Sequence, residues 1–245
     1  MRVMKFGGTS VGDPDRIGTL CDIVAAQANT RPVVVVSAAS RVTDMLLKAV
    51  QHAVATGQAD DAALVARVTG LLAAFDLPRD LIAAELDGLH EALEHVAAAR
   101  AATDADTDRV ASYGERISVR TVAAVMRARG LEAEAVDAFD AGMLTDDHFG
   151  AAEPLPQSEP TLRATLEAYR ARGVVPVVTG FIGKTLDGRV TTLGRGGSDY
   201  SAALVGAALD ADEIEIWTDV PGVMSADPRV VPEAHTIDCL SFAEA

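Results

Sequence analysis

Cysteine is nearly absent from this sequence, since only two of its 245 residues are cysteines. Cys21 and Cys239 lie in unrelated contexts, and neither belongs to a Cys-x-x-Cys pair or to another spacing typical of metal ligands. The sequence therefore offers no disulfide framework and no thiolate metal site, and it suits a reducing compartment. A chain of this length needs no such support, because it buries roughly 70–75% of its unfolded surface on folding.

Positive charge is also scarce in the chain. Lys and Arg number 21 against 36 Asp and Glu, which gives a formal net charge of −15. No run rich in Lys or Arg offsets this excess locally, so we expect neither a nucleic acid nor an anionic membrane as a partner. No apolar run reaches the length of a membrane span, and Lys5, Gly7 and Gly8 interrupt any signal-peptide core. The sequence predicts a cytoplasmic protein.

Short apolar runs rich in β-branched residues alternate with helical patterns along the chain. Residues 33–36 are consecutive valines, which is typical of a strand buried on both faces in a parallel sheet covered by helices. This alternation predicts an α/β protein. The predicted strands are residues 3–6, 33–36, 174–178 and 214–217.

Helix signals follow the first two predicted strands. Asp13 before Pro14 predicts an N-cap with proline at the first helical position, for a helix that ends near Gln27. A second helix is expected to start at Thr43 or Asp44 and to run through Val50.

A helical insertion is predicted for residues 60–129, which contain no strand-like run and are rich in Ala, Leu and Glu. One helix in it carries an apolar stripe, which packs either on its own domain, the more common outcome, or on a second copy in a homodimer. The charged and polar positions Glu85, Glu91 and Glu94 are expected to point away from this stripe, and His90 and His95 to lie on the surface. The stripe consists of Ile82, Leu86, Leu89, Leu93 and Val96.

Residues 179–193 predict a β-hairpin, with Asp187-Gly188 as its turn signal. Within it, Gly183-Lys184-Thr185 ends like a P-loop. Val178 stands where that motif requires its first glycine, and a turn follows instead of a helix. We therefore exclude a P-loop.

Two other glycine-rich segments follow predicted strands. Residues 5–10, Lys-Phe-Gly-Gly-Thr-Ser, combine paired glycines with a lysine ammonium. Residues 193–199, Leu-Gly-Arg-Gly-Gly-Ser-Asp, run into a helix predicted from Tyr200 to Leu209, whose N-terminus attracts anions. Each segment could be only a structural turn, and Ser198 of the second segment could be a simple N-cap. Two of them at strand ends favour a phosphate site, because open α/β sheets bind ligands there.

Two charged residues of the second segment suggest different partners. A carboxylate such as Asp199 is repelled by phosphate unless it holds a cation there, which Lys5 or Mg²⁺ would supply. Arg195 has a planar fork that matches the two oxygens of a substrate carboxylate.

The sequence resembles the aspartokinases, which are members of the amino acid kinase family. The resemblance rests on a series of segments that occur in the family's order over essentially the whole chain. These segments are residues 5–11, 36–38, 113–116 (Tyr-Gly-Glu-Arg), 180–183, 194–200, 218–222 (Thr-Asp-Val-Pro-Gly) and 227–229 (Asp-Pro-Arg).

The resemblance implies an α/β/α sandwich of three layers around a mainly parallel sheet, with residues 1–245 forming one kinase catalytic domain. It also implies transfer of the γ-phosphate of ATP to the β-carboxylate of L-aspartate, with Mg²⁺, as the first step of lysine, threonine and methionine synthesis. An aspartate carboxylate is already ionised at neutral pH, so this reaction needs no general base.

The family's site residues map onto matching positions of this chain. Lys5 is expected to neutralise the transferred phosphoryl group, and Asp199 to orient Lys5. Arg195 corresponds to the clamp on the substrate α-carboxylate and Glu115 to the partner of its ammonium, in a pocket shared with Ser37 and Thr43. The expected nucleotide-binding residues are Lys5, Gly7, Gly8, Thr9, Ser10, Gly196, Gly197, Ser198, Thr218, Asp219, Met224 and Arg229.

The chain departs from the family pattern in two places. Met224 stands where an aromatic residue is common, and the sequence stops at residues 241–245, before a nucleotide-side lysine segment and regulatory ACT domains. We therefore expect a kinase-domain piece of a longer or fused polypeptide. The alternatives are a glutamate or acetylglutamate kinase of the same family and a non-catalytic module; Arg195 with Glu115 favours a free α-amino acid.

Overall fold

The centre of the fold is a five-stranded sheet in which all neighbouring strands are parallel. The computed structural model describes residues 1–220 and 222–241, so Pro221 of the expected 218–222 segment and the end segment 242–245 lie outside the described residues. The strand order is β3-β4-β2-β1-β7. The strands are β1 (Arg2–Phe6), β2 (Val33–Val36), β3 (Ala133–Val136), β4 (Val175–Thr179) and β7 (Glu213–Trp217), with β5 (Ile182–Lys184) and β6 (Val190–Thr192) pairing separately.

Helices cover both faces of this sheet. Alternate side chains of β1 point to opposite faces, so that Val3 joins one buried cluster while Met4 and Phe6 join the other. The expected three-layer α/β/α architecture is therefore confirmed. The helices are α1 (Pro14–Ala26), α2 (Val42–Thr56), α3 (Ala62–Ala73), α4 (Ala83–Ala99), α5 (Asp104–Ala128), α6 (Ser158–Ala171) and α7 (Gly197–Ala208).

The predicted helical insertion corresponds to α3, α4 and α5. The whole apolar stripe of α4 is buried in the same cluster as Met4 and Phe6, so it packs on its own domain. The prediction that Glu85 points away from this core is wrong. Glu85 is buried, 2.9 Å from Arg120 Nε and 3.5 Å from an Arg116 guanidinium nitrogen on α5, and this pairing makes its burial tolerable. His90 and His95 are exposed, as predicted.

Several element boundaries differ from the sequence predictions. Helix α2 starts at Val42, after Arg41 in the left-handed region at φ +68°, and not at a Thr43 or Asp44 cap. Helix α7 starts at Gly197, after Gly196 at φ +72°, so Ser198 is not its N-cap. The side chain of Asp13 does cap α1, accepting from the backbone N–H of Arg16 at 3.0 Å.

Of the remaining secondary-structure features, one was predicted and one was missed. The hairpin is confirmed, with β5 and β6 antiparallel. Strand β3 was not predicted, because its Ala-Glu-Ala-Val sequence is short and weak in β propensity. Both cysteines are free thiols, and burial raises the pKa of Cys21 to about 11. Among the described residues, no helix is long and apolar enough to cross a membrane.

The parallel arrangement determines where a ligand can bind. The carboxyl ends of β1, β2, β4 and β7 lie at one edge of the sheet, and Lys5 sits near the end of the strand between β2 and β7. Open α/β sheets bind their ligands at this edge.

Candidate active site

A pocket of about 300 Å³ opens at the carboxyl edge of the sheet. It brings together residues that are far apart in sequence: the end of β1, the β2–α2 loop, the middle of α5 and the start of α7. Its lining includes most of the residues expected at the amino acid and phosphoryl ends of the site. These are Lys5, Ser37, Thr43, Glu115, Gly196, Gly197, Ser198 and Asp199.

An ion pair between Lys5 and Asp199 lies at one side of the pocket. Lys5 Nζ is 2.5 Å from Asp199 Oδ1, and the lysine is buried while the Asp199 side chain is 54% exposed. The contact joins the first glycine segment to the second. An ammonium held at the pocket wall by one carboxylate still has donors free for a phosphoryl oxygen.

Gly8 allows the first glycine segment to lie directly on the β2–α2 loop. A Cβ atom at this position would come within 2.7 Å of the carbonyl oxygen of Ala38, which no side chain tolerates. The backbone N–H of Ser40 donates to the Gly8 carbonyl at 3.0 Å, which fixes the two loops together. Gly8 is therefore required by packing, whereas a Cβ atom at Gly7 would meet only ordinary van der Waals contacts, at 3.7 Å from Lys5 Nζ and 3.8 Å from the Trp217 carbonyl oxygen.

Glu115 is buried at the base of the pocket and is only half satisfied. The backbone N–H of Ala38 donates to its Oε1 atom at 3.0 Å, whereas Oε2 has no hydrogen-bond partner among the described residues. Loss of water around the carboxyl group raises its pKa from 4.5 to about 8, although the Ala38 hydrogen bond partly opposes this rise. A buried carboxylate oxygen without a partner is a place where a cation would be stabilised.

Two wider clefts lie on the other side of the first glycine segment. One, of about 1060 Å³, is lined by Gly7, Gly8, Thr9, Thr218 and Asp219. The other, of about 440 Å³, is lined by Ser10, Thr218 and Asp219 beside the Phe6 and Trp217 rings, which stack at 6.1 Å. The expected nucleotide residues near β1 and β7 therefore face open space.

The structure does not bring three of the expected residues into these cavities. Arg195 is exposed and does not line the 300 Å³ pocket, although its neighbours Gly194 and Gly196 do. The Arg229 side chain is 88% exposed and pairs with Asp227 at 2.8 Å. Met224 is in a short antiparallel bridge with Thr236, whose hydroxyl lies 3.7 Å from the methionine sulfur.

Sequence reasoning missed three arginines that line the 1060 Å³ cleft, namely Arg16, Arg41 and Arg67. Arg16 donates to the carbonyl of Thr9 in the first glycine segment at 3.5 Å, and Arg67 donates to the carbonyl of Gly12, just after that segment, at 2.6 Å. Arg16 follows the Asp13 cap and could have been found from the predicted helix start. Arg67 comes from α3 and meets Gly12 only through the tertiary fold.

Comparison with known proteins agrees with this geometry. The family model described as the amino acid kinase family matches residues 1–245. The chain belongs to the amino acid kinase family. The chain is 39% identical over 246 residues to the lysine-sensitive aspartokinase 3 of Escherichia coli (strain K12), and 36% identical over 251 residues to the chloroplastic aspartokinase 2 of Arabidopsis thaliana.

Solved structures show the same similarity. The crystal structure of E. coli aspartokinase III in complex with aspartate and ADP has a TM-score of 0.80 and 37% identity, and the match covers 97% of this chain and 53% of the aspartokinase III chain. The crystal structure of the Clostridium acetobutylicum aspartate kinase has a TM-score of 0.73 and 27% identity, and the match covers 97% of this chain and 51% of the C. acetobutylicum chain. The matches to the E. coli and A. thaliana relatives include 99% of this chain but only 54% and 46% of those proteins. The chain thus spans about half the length of the relatives it matches.

Glu115 should make the stability of this protein depend on pH. Between pH 4.5 and about 8 the folded protein holds a proton on Glu115 that the unfolded chain has released. The free energy of unfolding should therefore fall as pH rises through this range, by at most about 1.4 kcal/mol per pH unit from this group. Glu115→Gln should remove that contribution, as measured by urea unfolding from pH 5 to 8. The exposed substitution Glu91→Gln is the control, and equal pH slopes in all three proteins would contradict the burial of a protonated Glu115.

Proposed function

We propose that the chain is an aspartate kinase that transfers the γ-phosphate of ATP to the β-carboxylate of L-aspartate, giving 4-phospho-L-aspartate. The observation that carries the proposal is the unpartnered Oε2 of Glu115 in the same pocket as the Lys5–Asp199 pair. One end of this pocket suits the ammonium of an amino acid, and the other suits a phosphoryl group.

Glu115 would bind the α-ammonium of the substrate. An ammonium donates to the free Oε2 atom and stabilises the charged carboxylate, which burial alone disfavours. Ser37 and Thr43 line the same wall and would bind the rest of the amino acid. An N-acetylated amino acid has no such charge and would leave Glu115 buried without a counter-ion.

Arg195 would bind the substrate α-carboxylate through its two-pronged guanidinium. It lies in the loop between Gly194 and Gly196, both of which line the pocket, and its side chain is exposed and has no ion-pair partner among residues 1–220 and 222–241. This role requires the exposed Arg195 side chain to turn toward the pocket.

Lys5 would stabilise the phosphoryl group during transfer. A β-carboxylate oxygen forms a bond to the γ-phosphorus, and the bond from that phosphorus to the bridging oxygen breaks, so that ADP leaves with the electron pair. No proton has to be removed from the nucleophile. The Lys5 ammonium, held by Asp199, would meet the negative charge on the equatorial oxygens.

The backbone of both glycine segments would hold the nucleotide phosphates. Mg²⁺ would stay on the phosphate oxygens with its water ligands, because no three His, Cys, Asp or Glu side chains converge within the described part of the chain. Protein sites that bind Mg²⁺ together with nucleotide phosphates usually supply only one or two carboxylates to the ion. The residues proposed for the nucleotide are Lys5, Gly7, Gly8, Thr9, Ser10, Gly196, Gly197, Ser198, Thr218 and Asp219, with Met224 and Arg229 as further predictions.

Several expectations from the sequence stay predictions. They are a cytoplasmic location, a homodimer, a longer or fused polypeptide, and a role in lysine, threonine and methionine synthesis. The bifunctional aspartokinase/homoserine dehydrogenase 2 of A. thaliana, 36% identical, is covered over 27% of its length, and a fused polypeptide is the arrangement its name describes.

A coupled assay of ADP release, with aspartate, glutamate and N-acetylglutamate compared in parallel, tests the proposed activity. Aspartate should support turnover at a rate well above the other two. Preference for glutamate would assign a different member of the family, and turnover with N-acetylglutamate would contradict the role of Glu115. A protein that binds aspartate and ATP without releasing ADP would be a non-catalytic module.

Lys5→Met should lower kcat by roughly 10²- to 10³-fold, which is the usual scale for the loss of one charge that stabilises a transition state. The aspartate KM should change little, because Glu115 and Thr43 are untouched. Steady-state kinetics with both substrates varied gives the two constants. Wild-type kcat in the variant would remove Lys5 from the mechanism.

Arg195→Lys keeps the charge but loses the planar fork, so the affinity for aspartate should fall by about 2–3 kcal/mol. Binding of a non-hydrolysable ATP analogue should stay within error of the wild type. Calorimetric titration of each ligand measures both effects. If the nucleotide loses affinity and aspartate does not, Arg195 belongs to the phosphate end of the site.

A further inference from the structure

Asp108 is a buried carboxylate on α5 that the proposed mechanism does not use. Its side chain is 3% exposed. Oδ2 accepts from the backbone N–H of Gly150 at 2.9 Å and from that of Thr192 at 2.8 Å, while Oδ1 is 2.8 Å from the Thr192 hydroxyl. All three donors belong to segments more than 40 residues away in the chain.

Burying the Asp108 carboxylate costs desolvation free energy that an apolar side chain would not. No ion pair to Asp108 is formed within residues 1–220 and 222–241, so its charge is compensated only by hydrogen bonds. Burial raises the pKa of Asp108, and the bonds from Gly150 and Thr192 only partly oppose that effect. An apolar residue at this position would avoid the cost of desolvation, which indicates that the three bonds fix something whose position matters.

The three hydrogen bonds of Asp108 fix the residues next to the start of the second glycine segment. Thr192 is the last residue of β6, and Leu193, which follows it, donates to the Phe181 carbonyl at 2.8 Å. Gly194 then turns at φ +73° so close to Gly150 that a Cβ atom would lie 3.1 Å from the Gly150 carbonyl oxygen. Asp108 therefore binds both Thr192, which precedes the segment, and Gly150, against which the segment packs.

The same helix also holds the other loop of the pocket. Asp108 and Glu115 are seven residues apart on α5, which is about two turns, so their side chains share one helix face roughly 10 Å apart along the axis. Glu115 binds the backbone N–H of Ala38 in the β2–α2 loop. Helix α5 thus sets the distance between the segment that contains Asp199 and the loop that contains Ser37.

We propose that Asp108 is a positioning residue, which sets the second glycine segment, and through it Asp199, at the distance from Lys5 that phosphoryl transfer requires. The proposal rests on the proposed function, since it assigns Asp108 to that reaction. Misplacement of a reacting group by about 1 Å can cost 10²-fold in rate.

The test compares two substitutions at this position. Asp108→Ala removes all three hydrogen bonds, so kcat for ADP release should fall by roughly 10- to 100-fold, and the aspartate KM should rise as well because Arg195 belongs to the same segment. Asp108→Asn keeps one oxygen for the two backbone donors and presents an NH₂ group to the Thr192 hydroxyl, so it should restore kcat to within about threefold of the wild type.

Ser158→Ala is the matched control for stability. Ser158 is also buried and makes two hydrogen bonds, to the N–H and the carbonyl of Leu144, but it touches neither glycine segment. It should lower the melting temperature with kcat within about twofold of the wild type. If Asp108→Ala does not fold, Thr192→Val, which removes only the hydroxyl contact, should lower kcat by a smaller factor in the same direction.

Amide hydrogen exchange provides a readout that does not depend on turnover. In Asp108→Ala the amides of Gly150 and residues 192–199 should exchange faster, while those of β1 stay protected. Unchanged exchange in residues 192–199, or a kcat loss no larger than that of Ser158→Ala, would overturn the proposal. A wild-type protein without kinase activity would defeat the proposed function instead, and the exchange comparison would still decide whether Asp108 positions the segment.

Discussion

The buried carboxylate of Glu115 is the interaction on which the rest of the site depends. One of its oxygens fixes the loop after β2, and the other has no partner among the described residues. The protein bears the cost of removing this group from water, as its pKa of about 8 shows. An ammonium at Oε2 would offset that cost. The folded protein therefore already holds the carboxylate in place for an amino acid.

The sheet topology places a second charge opposite the first. β1 lies between β2 and β7, so the turn after it meets both neighbouring loops at the carboxyl edge. Lys5 consequently reaches Asp199 on α7, and Gly8 lies against Ala38, whose backbone N–H is bound by Glu115. The ammonium site and the phosphoryl site are then parts of one pocket, although their residues come from four separate parts of the chain.

Much of this arrangement could be predicted from the sequence, because its strongest signals are local. Runs such as residues 33–36 and the Asp13 cap depend on neighbours in the chain, and both are present where expected. The left-handed Arg41 and the pairing of Glu85 with Arg120 depend on tertiary contacts that periodicity does not encode. The family motifs named the residues of the pocket, but they did not indicate that the Arg195 side chain faces solvent or that Asp108 ties β6 to α5.

Proton release on aspartate binding is the most direct test of the role given to Glu115. At pH 7 a carboxyl group with a pKa of about 8 is protonated in about nine molecules of ten, and pairing with an ammonium requires it to ionise. Calorimetric titration in phosphate and in Tris, which differ in ionisation enthalpy, should therefore give close to one proton released per aspartate bound, and none in Glu115→Gln. Binding of aspartate with full affinity and no proton release would show that the ammonium is held elsewhere, and the account of the site would be wrong.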